Sequence, residues 1–423
     1  MEQRRKNLTQ LFIPICLETL LYMLSGMVDT LMLSSVNDQA VGAVGTANTY
    51  IGIFIIMFSV ISSGMVAVMT QNIGAGRPGV AYQARQLGLA FNAVLGVIMS
   101  LFLSLGAGTI LSGVGVADAL MQPAKTYLQI VGGFCILNAL IPICSSYLRA
   151  FGFSKEPLYA SIIGNVINFC LNAFFLFVLH KGVAGVATAT VISRIINLVI
   201  VVLLGAVLVK AKQHPERESN RAVMGQIIRI GLPSACETAI YNVSMTLVIR
   251  FLNQMDAQGL NVTARSYTMQ ITNFSYCVGA ALAQANAIMT GWHIGAKEYD
   301  ACDRGTKKAA VIGVIVAVIL ETVFTLCSGW IMQLFSKDPQ MVSLVGKLLA
   351  IDIVLEIGRV TNLVYGQALK TSGDAVFPVV MGACFMILCS VGGTYLFGIR
   401  LGLLAVGAYI GMAGDECVRA IGM

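Results

Sequence analysis

The sequence predicts an all-α membrane protein of twelve transmembrane helices, arranged as two pseudo-symmetric six-helix lobes. Three observations carry that prediction: an apolar composition, twelve long apolar runs, and a repeat of the first half in the second. Of 423 residues, 57% are hydrophobic and 11% charged, against about 25% charged in soluble domains. With a mean hydropathy of +0.82, a water-soluble enzyme is ruled out. The net charge of +7 raises the question of nucleic acid, but the cations flank apolar runs instead of forming one exposed field, which argues against that partner.

The runs cover, in order, 8–34, 43–70, 87–111, 126–148, 157–179, 183–209, 226–252, 262–289, 308–333, 341–368, 376–397 and 401–423. Each is long enough to cross about 30 Å of hydrocarbon at about 1.5 Å per residue. Being continuous and not alternating, they are helices and not barrel strands. The first follows a short basic stub and is too long for a signal-peptide core, so it reads as a retained first helix. Gly74, Gly76 and Gly79 around Arg77 and Pro78 form a turn between the second and third helices. That turn lacks the strand, Lys and Ser/Thr context of a phosphate loop, so no ATP hydrolysis is expected. Eleven cysteines, Cys16, Cys144, Cys170, Cys236, Cys327 and Cys384 among them, have no metal-ligand or CxxC spacing and read as small buried residues.

Lys and Arg set the orientation. One set of connections carries seventeen of them, Arg4, Arg5, Lys6, Arg77, Arg85, Arg149, Lys155, Lys210, Lys212, Arg217, Arg221, Arg229, Lys297, Arg304, Lys307, Lys308 and Lys370; the opposite set carries five, Lys125, Lys181, Lys337, Lys347 and Arg400. Both termini and the long central linker are therefore expected in the cytoplasm, on a multi-pass protein of the cell membrane.

Pro14-x-x-x-Glu18-Thr19-x-x-Tyr22 returns as Pro233-x-x-x-Glu237-Thr238-x-x-Tyr241, displaced by 219 positions. Ile73-Gly74-Ala75 recurs as Ile294-Gly295-Ala296, Leu148-Arg149-x-x-Gly152 as Leu369-Lys370-x-x-Gly373, and Pro157 as Pro378, all displaced by 221. Four ordered matches at nearly one offset make the halves copies: an N-lobe over 1–210, a cytoplasmic linker over 211–222 and a C-lobe over 223–423. Six is even, so both copies share one orientation, related by an axis along the membrane normal. Two such bundles with a path between them are a transporter's architecture.

Gly26-Met27-Val28-Asp29-Thr30, Gln71-Asn72-Ile73-Gly74-Ala75-Gly76, Leu148-Arg149-Ala150-Phe151-Gly152 and their second-half copies resemble the multidrug and toxic compound extrusion (MATE) transporters over essentially the whole chain. The resemblance implies a V-shaped pair of lobes that exports small organic, often cationic, compounds in exchange for Na⁺ or H⁺. It implies no cofactor beyond the coupling ion, no enzymatic activity and no obligatory protein partner, the chain working as a monomer in the lipid bilayer. Helix twelve runs to Ile421-Gly422-Met423, where the resemblance implies a further cytoplasmic tail.

A carboxylate in hydrocarbon costs several kcal/mol unless it finds a partner, an ion, a proton or water. Asp29 lies about 8 Å below the outer end of helix one, Asn168 and Asn172 about 18 and 12 Å down helix five, and Thr190 about 10 Å down helix six. One carboxylate, two amides and a hydroxyl at similar depth suit Na⁺ or a proton held on Asp29. Interhelical hydrogen bonding is the alternative. The family's first-lobe cation site is similar: an Asp on helix one, an Asn and an Asp one turn apart on helix five, and a Thr on helix six. Here Asn172 replaces the second carboxylate, which weakens Na⁺ binding and leaves proton coupling open.

The second lobe carries Glu356-x-x-Arg359-x-x-Asn362 on helix ten and Asp415-Glu416-x-x-Arg419 on helix twelve. The spacing puts each acid beside an Arg, as an ion-pair network or a site for ion or substrate. Glu18 and Glu237 are repeat-equivalent, each four residues beyond a proline, and serve structure or bind a cationic substrate. Asp352, Glu321 and Arg194 also fall within spans, with no partner indicated by spacing.

Three other classes are weighed. A lipid-linked precursor or polysaccharide flippase of the same general fold needs a cationic cavity, whereas these interior charges look mainly acidic. A major-facilitator carrier needs Gly-x-x-x-Asp-Arg-x-Gly-Arg-Arg between helices two and three, which is missing. A membrane hydrolase needs His-Glu-x-x-His or Gly-x-Ser-x-Gly, also missing.

Overall fold

The computed structural model describes every residue except 1–5, 36–37, 114–115, 117, 210–215, 257–258, 334 and 337. Arg4, Arg5, Lys210, Lys212 and Lys337, used above for orientation, and residues 211–215 of the linker lie outside the described residues. Every regular element among the described residues is helical. The first half holds α1 (Leu8–Ser34), α2 (Asp38–Gly74), α3 (Pro78–Gly113), α4 (Asp118–Tyr127), α5 (Ile136–Ala150), α6 (Lys155–Ala173) and α7 (Gly182–Leu208). The second holds α8 (Asn220–Met255), α9 (Leu260–Gly295), α10 (Tyr299–Leu326), the short α11 (Ser328–Met332), α12 (Pro339–Ser372), α13 (Val376–Phe385) and α14 (Leu404–Gly422).

Three of the expected spans are interrupted and not uniform. A π-helical turn, Leu128–Gly132, joins α4 to α5 across a 43° bend. The helix α6 runs into a π-helical end, Phe174–Val178, and α13 into Met386–Val391 and Thr394–Arg400. Counted as rods, with α11 a coda to α10, these accord with the twelve apolar runs. Among the described residues seven helices are long and apolar enough to cross a membrane, and the bent α4–α5 pair makes an eighth. The other four, α8, α9, α12 and α14, carry Glu237, Arg265, Asp352, Glu356, Arg359, Asp415, Glu416 and Arg419. Arg265 and Asp352 apart, these groups are held in ion pairs within the second half, as described below.

The chain divides into two compact units, Met1–Leu232 and Pro233–Met423. The division falls inside α8, at its internal proline, about three turns beyond the expected linker. Contacts ahead of α8 explain this. Gln83 Nε2 donates to the Glu218 carbonyl at 2.7 Å and to Asn220 Oδ1 at 2.6 Å, and Arg77 pairs with Glu218 at 2.5 Å. The first turns of α8 are thereby tied to the turn between α2 and α3.

The copies repeat backbone as well as sequence. Gly152 has φ 86° and its counterpart Gly373 φ 110°, each past the end of a helix, where a left-handed residue closes the last turn. Gly76 (φ 74°) is matched by Lys297 (φ 62°), so the same turn is kept even where a Cβ strains it. In the first unit the apolar core gathers Leu33, Phe58, Leu103, Leu111, Tyr127 and Leu128. In the second, α12 packs against α9, α10 and α14 around Val248, Leu252, Leu348, Leu355 and Tyr409.

Two expectations are corrected. All eleven cysteines are free, but Cys170, Cys236, Cys327 and Cys384 are exposed and not buried; small apolar residues lose nothing on a helix surface turned toward lipid. Arg149 and Lys370, counted among the connections, stand in the last turns of α5 and α12 and are held there by acids.

Close approach of α12 and α14 depends on Gly358, where an added Cβ would meet the Glu416 carbonyl carbon at 2.6 Å and the Cys417 nitrogen at 2.7 Å. A Gly358→Ala protein is therefore expected to lose about 1–3 kcal/mol, read as a melting temperature several degrees lower in detergent. Gly26→Ala, which meets nothing within 4 Å, should melt like the parent.

Candidate functional sites in the two lobes

In the first unit α1 packs along α6. Ser161, Asn165, Asn168 and Asn172 recur at intervals of four, three and four, which aligns them on one helical face. That face forms a polar seam with α1. Ser161 Oγ donates to Glu18 Oε1 at 3.4 Å, Asn165 Nδ2 to the Leu21 carbonyl at 3.4 Å, and Asn172 Nδ2 to Asp29 Oδ1 at 2.6 Å. Asn172 Nδ2 also donates to Asn168 Oδ1 at 3.2 Å, so one amide joins both oxygens. Asn172 Oδ1 is buried without a hydrogen-bond partner.

Three of the four residues expected at this site are thus joined. Thr190 is not: its hydroxyl donates to the Val186 carbonyl of its own helix at 2.9 Å, the usual satisfaction of a buried threonine. One turn beyond it on α7 stands Arg194, within electrostatic reach of Asp29 and Tyr127. This arginine, unassigned by spacing within its own helix, brings a positive charge to Asp29 from a third helix.

Glu18 and Glu237 each face a cation. Arg149 Nη2 lies 2.5 Å from Glu18 Oε2, and Lys370 Nζ lies 2.5 Å from Glu237 Oε2. Glu18 matches Glu237 at an offset of 219, and Arg149 matches Lys370 at 221, so the acid–base pair is itself duplicated. Both motifs carrying it were visible in the sequence; their meeting in space was not.

In the second unit the two charged motifs meet across α12 and α14. Arg359 is bonded to Glu356 on its own helix and stands 3.8 Å from Glu416 Oε1. Arg419 holds Asp415 Oδ1 at 2.9 Å and Glu416 Oε2 at 2.8 Å. Asn362 Nδ2 donates to Glu416 Oε2 at 2.7 Å and to its carbonyl at 2.8 Å, and Ser390 Oγ to Asp415 Oδ2 at 2.9 Å. All six expected residues join one network. Beside it opens a cavity of about 440 Å³, lined by Glu237, Arg265, Asp352, Arg359, Lys370 and Tyr409 with other residues of the same unit. Its size falls within the range of about 300–1,000 Å³ typical of small-molecule sites.

Sequence reasoning left three groups here without a role. Glu321 is fully buried and forms no ion pair among the described residues, with Ser275 beside it and Asp352, Glu356 and Arg359 within electrostatic reach. Asp352, 2% exposed, lines the cavity with Oδ2 unpartnered. Arg265 was not singled out at all. Its signal was available: α9 contains no Asp or Glu, so an arginine in that span has no acid on its own helix.

Two six-helix units, each enclosing ionisable side chains within an apolar shell, define a membrane transporter. The MatE family profile matches residues 14–174 and again 233–396, and the chain belongs to that family of multidrug and toxic compound extrusion transporters. It is 33% identical over 414 residues to the uncharacterized transporter YisQ of Bacillus subtilis, spanning 96% of this chain and 90% of that one. It is 23% identical over 432 residues to NorM of Thermotoga maritima, a probable multidrug resistance protein, spanning 98% and 90%. Among solved structures, a MATE protein in its straight conformation superposes with a TM-score of 0.88 at 19% identity, covering 98% of this chain and 93% of that one. Another, an outward-facing multidrug resistance MATE transporter, gives 0.87 at 18% identity with the same coverage.

The duplicated pair has a thermodynamic signature. Removing Arg149 alone leaves the part-buried Glu18 without its cation, an expected loss of about 2–4 kcal/mol, somewhat below that of a fully buried pair. The double variant Glu18→Gln with Arg149→Met should recover most of that loss, measured by thermal unfolding in detergent. A double variant as unstable as Arg149→Met alone would show that the arginine does not act through Glu18.

Proposed function

We propose that this protein is an antiporter of the cell membrane that exports small organic compounds, cationic ones among them, in exchange for protons bound at Asp29. Both termini lie in the cytoplasm in this reading, on the strength of the positive-inside asymmetry. The observation that carries it is the bridge from Asn172 Nδ2 to Asp29 Oδ1 and Asn168 Oδ1. A Na⁺ ion at this place needs several oxygens converging on an open centre, whereas here an N–H₂ group stands between the two oxygens. The lone carboxylate has Arg194 as its counter-charge. A proton needs no such cage and only one carboxylate. The second-lobe cavity, with Asp352 on its wall, supplies the chamber for the compound, and burial of an organic cation there is favoured by the carboxylate and the aromatic rings of Tyr241, Tyr276 and Tyr409.

The flippase alternative wants several free cations for a pyrophosphate. Three of the four cations lining the cavity are ion-paired, Arg359 and Arg419 with the α12 and α14 acids and Lys370 with Glu237.

Proteoliposomes with independently imposed gradients test the reading. A proton gradient alone is expected to drive uphill movement of a cationic dye, and a Na⁺ gradient at equal pH on both sides is not. Asp29→Asn should reach the membrane in normal amount and lose uphill export. Wild-type uphill rates in that variant would remove Asp29 from the mechanism. Asn172→Asp replaces the bridging N–H₂ with a second carboxylate and should confer Na⁺ dependence, because each added negative charge in a low-dielectric site strengthens cation attraction. Unchanged Na⁺ and pH dependence in that variant would separate residue 172 from coupling.

A further inference from the structure

We infer that the second-lobe cavity binds an organic anion, a carboxylate or sulfonate, through Arg265. This names a further chemical class for the chamber and rests on reading that cavity as the substrate's.

Arg265 lies about 8 Å into α9 from its first residue, is 6% exposed and lines the cavity. The other lining cations each face an acid within 4 Å: Arg359 and Arg419 on the α12–α14 network, Lys370 on Glu237. Arg265 has no ion pair among the described residues. Among the described residues its guanidinium donates to the Met245 thioether, 3.8 Å from Nη2, and its Nε is buried with no hydrogen-bond acceptor. A thioether is a weak acceptor, and a guanidinium cannot shed its proton to escape burial. Leaving such a group unsatisfied in a protein interior is costly, and a carboxylate, which takes a planar fork of N–H donors side on, is the ligand chemistry that satisfies it.

The neighbours favour an aromatic anion. Tyr409 is within electrostatic reach of both Arg265 and Asp352, and Tyr241, Tyr276 and Met269 share the wall. Asp352 is the opposing pole. It forms no ion pair with Arg265, so the two charges present separate anchors, one for anionic groups and one for cationic groups. Compounds carrying either charge, or both, then find an anchor in one chamber.

Equilibrium binding to the purified full chain in detergent tests this without any gradient, so failure of proton coupling leaves the result readable. Fluorescein supplies an aromatic carboxylate, and rhodamine 6G supplies a cation on nearly the same ring frame. Both are followed by fluorescence anisotropy. Arg265→Gln is expected to weaken fluorescein binding by at least about tenfold, the loss of a charge-assisted hydrogen-bonded pair, and to leave rhodamine 6G within about twofold. Asp352→Asn is expected to weaken rhodamine 6G and spare fluorescein. Arg265→Lys keeps the charge without the fork, should fall between, and serves if the glutamine variant does not fold. Fluorescein binding unchanged in both Arg265 variants, or no saturable binding to the wild type, would overturn the assignment. So would displacement of fluorescein by added phosphatidylglycerol but not phosphatidylcholine, which would make the anion a lipid headgroup.

Discussion

An ionised side chain inside hydrocarbon has to be matched by an opposite charge, a proton, an ion or water, and the polar interior of this protein is organised by that requirement. Helices in a bilayer cannot be held together by hydrophobic burial alone, because lipid is as apolar as their outer surfaces. Packing of small residues, as at Gly358, brings helices close. Interhelical polar contacts then fix which helices meet. The α1–α6 seam, from Glu18 through Leu21 to Asp29, aligns two helices by three successive side-chain hydrogen bonds. The α12–α14 pair is fixed by Arg359, Asn362, Glu416 and Arg419.

The same requirement separates scaffold from chemistry. Glu18–Arg149 and Glu237–Lys370 occupy matching places in both copies and are mutually neutral. Elsewhere the copies part. At an offset of 219 the counterpart of Asp29 is Val248, and at 221 that of Arg359 is Asn138 and that of Arg194 is Asp415. Duplicated groups pair with each other, whereas Arg265, Glu321 and Asp352, which form no ion pair among the described residues, have no charged counterpart in the first copy. A charge with no internal partner is one whose environment is completed by something else.

Much of this was legible in the residues. Continuous apolar runs gave the spans, the common offset the two copies, and i to i+3 spacing the acids and bases of α12 and α14. The i, i+4 pair Asn168 and Asn172 came out on one face beside Asp29. Other parts are invisible to spacing along one helix. Arg149 meets Glu18 across 131 residues, and nothing in either motif names the other. Arg194 approaches Asp29 from a third helix. Thr190 had the right depth, yet its hydroxyl turned to its own backbone, which costs less than crossing to a neighbour. Polar helices also blur the spans: α8, α9, α12 and α14 look too polar to cross a bilayer on their own, because hydropathy cannot register that most of the acids on α8, α12 and α14 are ion-paired inside the protein.

The two lobes therefore differ in the kind of ionic equilibrium they can host. In the first, one carboxylate faces one amide donor and one arginine. Neutralising Asp29 would leave Arg194 and Asn172 with altered partners at the junction of α1, α6 and α7. In the proposed reading, protonation at that place is coupled to how three helices pack, which is the requirement for moving a conformational equilibrium: a bound proton shifts it only by the difference in its affinity between two arrangements. In the second, Glu356, Arg359, Asp415, Glu416 and Arg419 are joined in one ion-paired network, and Arg265 and Asp352, which form no ion pair among the described residues, line the cavity beside it. A wall of paired charges with unpaired charges of both signs is suited to holding varied ligands, while a single carboxylate facing one arginine and one amide is suited to sensing a proton. On the proposed function, the two tasks fall to different copies of one bundle, so that each lobe keeps its fold while its polar residues diverge.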